Sequence, residues 1–441
     1  MKKYFVLLFV TLVISFSIFI FLKPKPSSFT TSEDAKTWIL SDTHFISPDL
    51  YDDGSAFQSM QETAAGKDLL HQENSWQALL EQAKQGHPDF LIITGDLTFN
   101  GEYLSAEDFQ RYFAQFEAIG TRVLVIPGNH DIHDGWARKF EGNQQVIAKQ
   151  ISPHAFRKLF ASSYEQALAK DENSLSYVVQ GTANVRFFLL DTNIYPFETS
   201  RHQPATGGEI KEATLQWLDT QLKAAQEAKQ TPIIFMHHNL FKHNEEVYKG
   251  YVLNHAEEVQ ALFQKYQVPL VFSGHIHAQD ILQEQKIVEV TTGAFSIAPQ
   301  SIGELQLTKN KWHYTRQTLN TSQQVAPDGF PSYEAYLEDF LYQDGKHFAY
   351  GQMIDRGIYD SKQLDQVADV VGQAHLRYFT GEDDLSDAEI KQFQASPGYQ
   401  LLEHLELGSL LSYLQSIQQD TNLPDTHFTF VRENAEWQLM K

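Results

Sequence analysis

The sequence predicts an α/β domain followed by a smaller all-helical C-terminal domain. Three observations lead to this prediction. Short runs rich in β-branched residues alternate with amphipathic segments up to about residue 316, the runs are apolar throughout, and the periodicity becomes helical beyond residue 332. Continuous apolar runs suit a sheet that is covered on both faces. A chain of 441 residues with 42% hydrophobic content can bury one large core and a second, smaller one.

The predicted elements follow in chain order. The pattern predicts strands at residues 37–40, 90–94, 122–126, 185–190, 232–236 and 269–272, with later short strands at 287–291, 303–307 and 312–316. It predicts helices at residues 75–84, 106–118, 213–227, 256–266, 333–342, 361–379, 387–393 and 401–419. We therefore expect a membrane segment or signal at residues 1–24, a linker at 25–36, the α/β domain at 37–323 and the helical domain at 324–441. The helical domain either packs as a plain cap or overhangs the active site.

The N-terminus has the features of an export or anchor signal. Lys2 and Lys3 precede an apolar run at residues 4–22, and a polar segment follows it. The run is long for a signal-peptide core and just long enough to span a bilayer, so we favour an uncleaved signal-anchor over a cleaved signal peptide or a buried core helix. The remaining chain is then expected outside the cytoplasm, anchored to the cell membrane or secreted.

Composition excludes several classes of function. A formal net charge of -22 argues against binding of long nucleic acid, which needs clustered Lys and Arg. The absence of cysteine excludes disulfides, thiolate metal sites and cysteine nucleophiles. A small anionic substrate remains compatible with the acidic chain if metal cations supply local positive charge.

Five short polar clusters follow predicted strands, where open α/β sheets place their ligands. Each offers carboxylate, amide or imidazole groups, and alternate residues of an extended segment can point the same way. Taken singly, each cluster is also a common turn sequence, whereas the combination is hard to explain by turns alone. The clusters are Asp42-Thr43-His44, Gly95-Asp96, Gly128-Asn129-His130-Asp131, His237-His238 and Gly274-His275-Ile276-His277.

This ordered set resembles the signature of the calcineurin-like metallophosphoesterases, and in particular their bacterial cyclic-nucleotide phosphodiesterase branch. The resemblance implies a four-layer α-β-β-α sandwich that binds two divalent metal ions. By position, it implies a first metal site of Asp42, His44 and His277, a second of Asn129, His237 and His275, and Asp96 as the bridging ligand. His130 is then the group beside the leaving oxygen. The residues themselves do not choose between His237 and His238, and only the resemblance favours the first.

The implied activity is hydrolysis of phosphate esters, most of all phosphodiesters such as cyclic nucleotides. Two divalent ions about 3.5–4 Å apart lower the pKa of a shared water and stabilise charge on the phosphoryl oxygens. Oxygen and nitrogen ligands suit manganese, iron or zinc, and the resemblance favours manganese or iron. The alternatives are a cell-surface phosphomonoesterase or nucleotidase and a non-catalytic metal-containing binding module. His238, His133 and Asp131 are expected to contact the ligands from behind or to face the substrate, if they have a functional role, and Asp191 is expected to belong to a structural turn.

Overall fold

The computed structural model describes residues 32–418, 423–434 and 436–440, and these contain two seven-stranded β-sheets. The strands are β1 (Ala35–Leu40), β2 (Phe90–Thr94), β3 (Arg122–Ile126), β4 (Arg138–Glu141), β5 (Gln144–Ile147), β6 (Ala169–Lys170), β7 (Tyr177–Thr182), β8 (Val185–Leu190), β9 (Thr231–Met236), β10 (Leu270–Ser273), β11 (Asp280–Glu284), β12 (Ile287–Thr291), β13 (Ser301–Leu307), β14 (Lys311–Thr318), β15 (His427–Glu433) and β16 (Glu436–Leu439). The helices are α1 (Ser55–Glu62), α2 (Gln72–Gly86), α3 (Tyr103–Ala118), α4 (Pro153–Leu159), α5 (Ala161–Glu165), α6 (Glu212–Glu227), α7 (Ala256–Lys265), α8 (Tyr333–Ile354), α9 (Ser361–Thr380), α10 (Asp387–Gln394), α11 (Pro397–His404) and α12 (Gly408–Ser416).

Each sheet contains a run of parallel strands, which lies at one end of the first sheet and at the centre of the second. The first sheet runs β16-β15-β14-β13-β1-β2-β3, and the second runs β11-β12-β10-β9-β8-β7-β6. Strand β2 pairs in parallel with β1 and β3, and β9 pairs in parallel with β8 and β10. The carboxyl ends of parallel neighbours meet at one edge of a sheet, so the loops that leave them are brought together.

The two sheets face each other across an apolar core, and helices cover their outer faces. Phe90 of β2 and Phe187 of β8 meet in this core with ring centroids 5.1 Å apart. Trp76 of α2 joins the same buried cluster, while Phe263 of α7 packs with α6 against the second sheet. The layers therefore follow the expected α-β-β-α order, because strands buried on both faces need a covering layer on each side.

Beyond residue 332 the chain is mostly helical, but the prediction of an all-helical region to residue 441 is wrong. Strands β15 and β16 return to the first sheet and extend it past β14. Phe428 stacks on Tyr314 with ring centroids 5.2 Å apart, and Trp437 stacks on Trp312 at 3.9 Å. Residues 427–431 alternate between buried and more exposed side chains, the period-two pattern of a strand with one buried face. The backbone of β15 pairs with the edge of β14, and its buried Phe428 and Phe430 extend the apolar face of the sheet.

The predicted helix at residues 401–419 is also wrong as a single element. It is two helices, α11 and α12, and the chain turns between them at Glu406, whose φ is 53°. A left-handed backbone conformation ends the hydrogen-bond ladder of a helix.

The apolar run at residues 4–22, predicted to meet the membrane, lies outside the described residues. In the part of the chain that the structure describes, no helix is both long and apolar enough to cross a bilayer. The expected location outside the cytoplasm therefore stays a prediction.

Candidate metal centre

The predicted ligands lie together where the loops of the two sheets meet. The segments after β1 and β2 are joined by a hydrogen bond from the Asp42 N–H to the Gly95 carbonyl, at 3.1 Å. The two sheets are joined by the His275 N–H, which donates to Asp42 Oδ2 at 2.9 Å. Side chains far apart in the sequence thus converge because the strands before them end at the same edge.

A first cluster of donor atoms comes from Asp42, His44, Asp96 and His277. One potential ligand atom from each of these residues lies within 4.8 Å of the others. His277 Nε2 is 3.3 Å from Asp42 Oδ1 and 3.3 Å from His44 Nε2. His44 Nε2 is also 3.7 Å from Asp96 Oδ2. Four side chains therefore point at one small volume.

A second cluster comes from Asp96, His237 and His275, which also have ligand atoms within 4.8 Å of one another. His237 Nε2 lies 3.5 Å from Asp96 Oδ2 and 3.1 Å from Asn129 Oδ1. Asp96 belongs to both clusters, so its carboxylate stands between the two. The structure thus brings together all seven side chains that the sequence analysis selected as ligands.

The donor chemistry of both clusters fits cations. Asp42 Oδ1 is buried and accepts no well-oriented hydrogen bond from the protein, although it faces the nitrogen of His277. Burial raises the pKa of the Asp96 carboxyl, but His237 and His130 outweigh that effect and hold the pKa well below its ordinary value. An ionised, buried carboxylate surrounded by imidazole nitrogens needs positive charge, and divalent metal ions with oxygen and nitrogen ligands meet this need.

The backbone at the metal centre is held in an uncommon conformation. Five of the seven predicted ligands have positive φ, between 42° and 68°, namely Asp42, His44, Asp96, His275 and His277. Such residues are uncommon outside glycine, and they persist only where the surrounding structure enforces them. Gly274 shows how tight this packing is, because a Cβ built there would lie 1.7 Å from Ser41 Oγ.

The structure distinguishes His237 from His238. Both ring nitrogens of His238 bind the protein: Nδ1 lies 2.8 Å from the Thr192 hydroxyl, and Nε2 lies 3.1 Å from the Thr206 carbonyl. His237 binds a backbone carbonyl, that of Thr94, through Nδ1 and turns Nε2 toward the second cluster. A histidine that ligates a metal commonly fixes its other nitrogen in this way.

His130 borders the metal centre without joining either cluster. Its backbone N–H donates to Asp96 Oδ1 at 2.9 Å, and its Nδ1 lies 3.0 Å from Asp134 Oδ2 and 3.1 Å from Asn100 Oδ1. Burial lowers the pKa of His130, but Asp96 and Asp134 outweigh this effect and raise the pKa overall. Two oxygen partners place a proton on Nδ1, which leaves Nε2 for a ligand. Sequence analysis missed Asp134, whose only signal is its position four residues after His130.

A cleft of about 560 Å³ opens beside the first cluster. Its walls combine His44 and His130 with two cations, Lys67 and Arg138, and the half-exposed Trp136. The volume lies in the range of small-molecule sites. Sequence analysis missed these last three residues, because they lie on loops and edge positions that carry no recognisable motif.

Other polar residues singled out in the sequence have structural roles. The Asp131 carboxylate accepts hydrogen bonds from the N–H groups of Leu97, Thr98 and Gly128. It thereby ties the loop after β2 to the loop after β3. The Asp191 carboxylate accepts from the Tyr195 hydroxyl and from backbone N–H groups, as a turn residue would.

The helical region packs directly behind the ligand segment after β10. Ile276, between His275 and His277, and Ala278 are buried in an apolar cluster with residues of α8, α9, α11 and α12. The Gln279 N–H donates to the Phe379 carbonyl at 3.3 Å. Histidines thus face the metal centre while the alternate residues face the helices.

Comparison with known proteins identifies two matching family models. The model described as calcineurin-like phosphoesterase matches residues 35–279, which is more than half of the chain. The model described as the C-terminal domain of cyclic nucleotide phosphodiesterase matches residues 321–423.

Individual relatives are distant. A probable glycerophosphodiester phosphodiesterase from Arcobacter nitrofigilis is 26% identical over 47% of this chain and 63% of its own length. A 3',5'-cyclic-nucleotide phosphodiesterase from Nostoc sp. is 26% identical over 46% of this chain and 62% of its own length. The chain therefore spans less than two thirds of the length of these relatives. A solved dimetal phosphatase from Danio rerio superposes with a TM-score of 0.49 at 13% identity, over 65% of this chain and 96% of that one.

Proposed function

Since the chain belongs to the calcineurin-like phosphoesterase family, we propose that it hydrolyses phosphodiesters with two bound divalent metal ions. The observation that carries this proposal is the pair of donor clusters that share Asp96. A purely structural metal site needs one closed ligand set, whereas a shared carboxylate beside an open cleft suits two ions that face a substrate.

The proposed ligand assignment follows the resemblance and is compatible with the distances. Asp42, His44 and His277 would hold the first ion, and Asp96 would bridge to the second. The remaining ligands of the second ion would be Asn129, His237 and His275. We favour manganese or iron, with zinc as the alternative. When bound, the two ions would supply an activated water and would offset charge on the phosphoryl oxygens.

His130 is the proposed proton donor to the leaving oxygen. Its Nδ1 is held by Asp134 and Asn100, so Nε2 faces the cleft in a fixed orientation. A positioned general acid contributes about 10²- to 10⁴-fold to the rate when the leaving group is a poor one. An alkoxide leaving group depends on this proton more than a nitrophenolate does.

Two observations support a diester substrate of nucleotide size. The region after residue 321 matches the C-terminal domain of cyclic nucleotide phosphodiesterase. The cleft is also large enough for a nucleoside, and Trp136 offers an aromatic surface beside His130, with ring centroids 6.0 Å apart. We therefore propose cyclic nucleotides or other nucleotide-like phosphodiesters as the substrate class.

The test uses the full-length chain, stripped of metal and reloaded with manganese, iron or zinc. We expect metal-dependent turnover of a diester among cyclic nucleotides, linear diesters and monoesters. Asp96→Asn should abolish it, because Asp96 serves both clusters, while the exposed Asp53→Asn should not. Turnover of monoesters alone would replace the proposal with a phosphomonoesterase. No turnover with two bound ions per chain would favour a binding module.

A comparison of two leaving groups tests the assignment of His130 as the general acid. His130→Ala should lower kcat for an alkyl diester about 10²- to 10⁴-fold and for a nitrophenyl diester much less. The exposed His154→Ala provides the control. Equal losses for both leaving groups would contradict the assignment of His130 as proton donor.

The location of the enzyme is a separate proposal that rests on the sequence alone. We propose that residues 4–22 anchor the chain and place the metal centre outside the cytoplasm. Digestion of intact cells with a protease should remove the activity from the cell surface, and protection until lysis would contradict the proposal.

A further inference from the structure

Lys67 is a cation at the metal centre that no ligand role accounts for. Its side chain lines the cleft together with His44 of the first cluster and with His130. Its Nζ donates to the Ala64 carbonyl at 3.3 Å, and no other hydrogen bond or ion pair of Nζ is found among the described residues. An ammonium group has three N–H donors, so two of them remain for a ligand in the cleft.

Among the described residues, no carboxylate forms an ion pair with the Lys67 ammonium group. Burial lowers the pKa of the Lys67 ammonium group below its ordinary value, and the carboxylates of Asp42, Asp96 and Asp344 offset this effect only in part. With two divalent ions bound at Asp42 and Asp96, the surroundings of Lys67 would become strongly positive. The Lys67 ammonium group is favourable beside two metal ions only when a bound anion offsets the combined positive charge.

We propose that Lys67 binds a non-bridging oxygen of the substrate's phosphate group and is a specificity-determining residue for anionic esters. This inference rests on the proposed phosphoesterase function. It adds a protein donor to the cleft that lies outside all of the motif segments.

The helical region holds the Lys67 loop in place. The neighbouring Gly66 has a φ of 71°, and a Cβ there would lie 2.9 Å from Leu341 Cδ1 of α8. On the other side, the buried Asp68 carboxylate accepts a hydrogen bond from the Tyr333 hydroxyl at the start of α8. The loop is therefore fixed at both neighbours of Lys67, which reduces the entropy lost when its ammonium binds an anion.

Arg138, the second cation of the cleft, is a weaker candidate for the same role. Its Nη1 donates to the carbonyls of Gly135 and Ala137, both at 2.8 Å. Part of its hydrogen-bonding capacity is therefore used by its own loop. Its Nε and Nη2 groups keep three N–H donors, so Arg138 is not excluded by donor count. Lys67 is favoured because its charge acts to lower the pKa of both His44 and His130, which places its charge at the proposed metal centre.

The experiment compares Lys67→Met, Lys67→Arg and the exposed control Lys84→Met in the manganese-loaded full-length protein. Isothermal titration calorimetry measures the Kd of inorganic phosphate, mass spectrometry measures bound metal, and steady-state kinetics measures KM and kcat for a diester. Hydrogen bonds to charged groups support an expectation of about 10- to 100-fold weaker phosphate binding in Lys67→Met. KM should rise in parallel, Lys67→Arg should recover part of the affinity, and metal content should not change.

The outcomes separate this inference from the proposed function. A phosphate Kd within twofold of the wild type in Lys67→Met, or a loss of bound metal in that variant, would overturn the role of Lys67. If the wild type hydrolyses no ester but Lys67→Met still weakens phosphate binding, the anion site is supported and the proposed phosphodiesterase activity is wrong.

Discussion

Truncation of Ile276 to alanine should weaken metal binding, although this side chain touches no metal. Ile276 is 4% exposed and packs into the apolar cluster of the helical region. Its neighbours His275 and His277 have φ values of 68° and 64°. We expect that the packing of Ile276 keeps both histidines in this conformation.

The expected change in metal affinity follows from two opposing free energies, the cost of the left-handed backbone and the gain from burial of Ile276. Two non-glycine residues in the left-handed region cost about 2–4 kcal/mol together. Burial of the Ile276 side chain contributes about 1.5–3 kcal/mol, which offsets much of that cost. If Ile276→Ala loses about 2 kcal/mol of this burial free energy, the conformation that can bind metal becomes less populated. The apparent Kd for metal then rises about 30-fold.

The assay pairs Ile276→Ala with Leu402→Ala. Leu402 is fully buried in the same cluster but belongs to α11 rather than to the ligand segment. Both changes should cost about 2–5 kcal/mol of stability and lower Tm. Competition with a fluorescent chelator then gives the manganese affinity at a temperature where both variants are folded. Equal manganese affinity in the two variants would refute the idea that Ile276 supports the ligands.

Three further predictions concern stability and ligand geometry. Glu102 is fully buried, and burial raises its pKa to about 7, so the folded state resists ionisation that the unfolded chain undergoes near pH 4.5. Stability should fall by about 3 kcal/mol from pH 4.5 to pH 7, and denaturant titrations of Glu102→Gln should lack this fall. Gly95 has a φ of 106°, and a Cβ there would lie 2.4 Å from His237 Nδ1. Gly95→Ala should therefore reduce the metal bound per chain by mass spectrometry, and full occupancy would contradict the tight contact. Tyr333→Phe removes a hydrogen-bond donor to the buried Asp68, so it should lower the free energy of unfolding by about 1.5–3 kcal/mol. An unchanged denaturant midpoint would show that this hydrogen bond does not contribute to stability.

Local chemistry made much of the site predictable. Metal-ligating residue types follow predicted strands at Asp42, Asp96 and His275, and a glycine precedes the last two, so the polar clusters could be recognised and their resemblance to a known ligand set could be seen before any contact was known. Their positive φ values have no sequence signal of their own, because they arise from packing around the loops.

Other parts of the site needed long-range contacts. His237 and His238 are identical in type and adjacent, and only their different partners, Asn129 for one and Thr192 for the other, separate them. Lys67 lies on a loop without a motif and reaches the cleft because α8 packs against its neighbours. No local pattern encodes such a placement.

The sequence by itself predicted the layered α/β class and the helical region from periodicity, and it predicted polar clusters at strand ends from residue type. The choice of the seven proposed ligands within these clusters came from their resemblance to the calcineurin-like phosphoesterases. The tertiary structure decided the return of β15 to the first sheet, the division of the last predicted helix and the residues that line the cleft. These features depend on which distant surfaces are left to be covered, and a one-dimensional pattern does not contain that information.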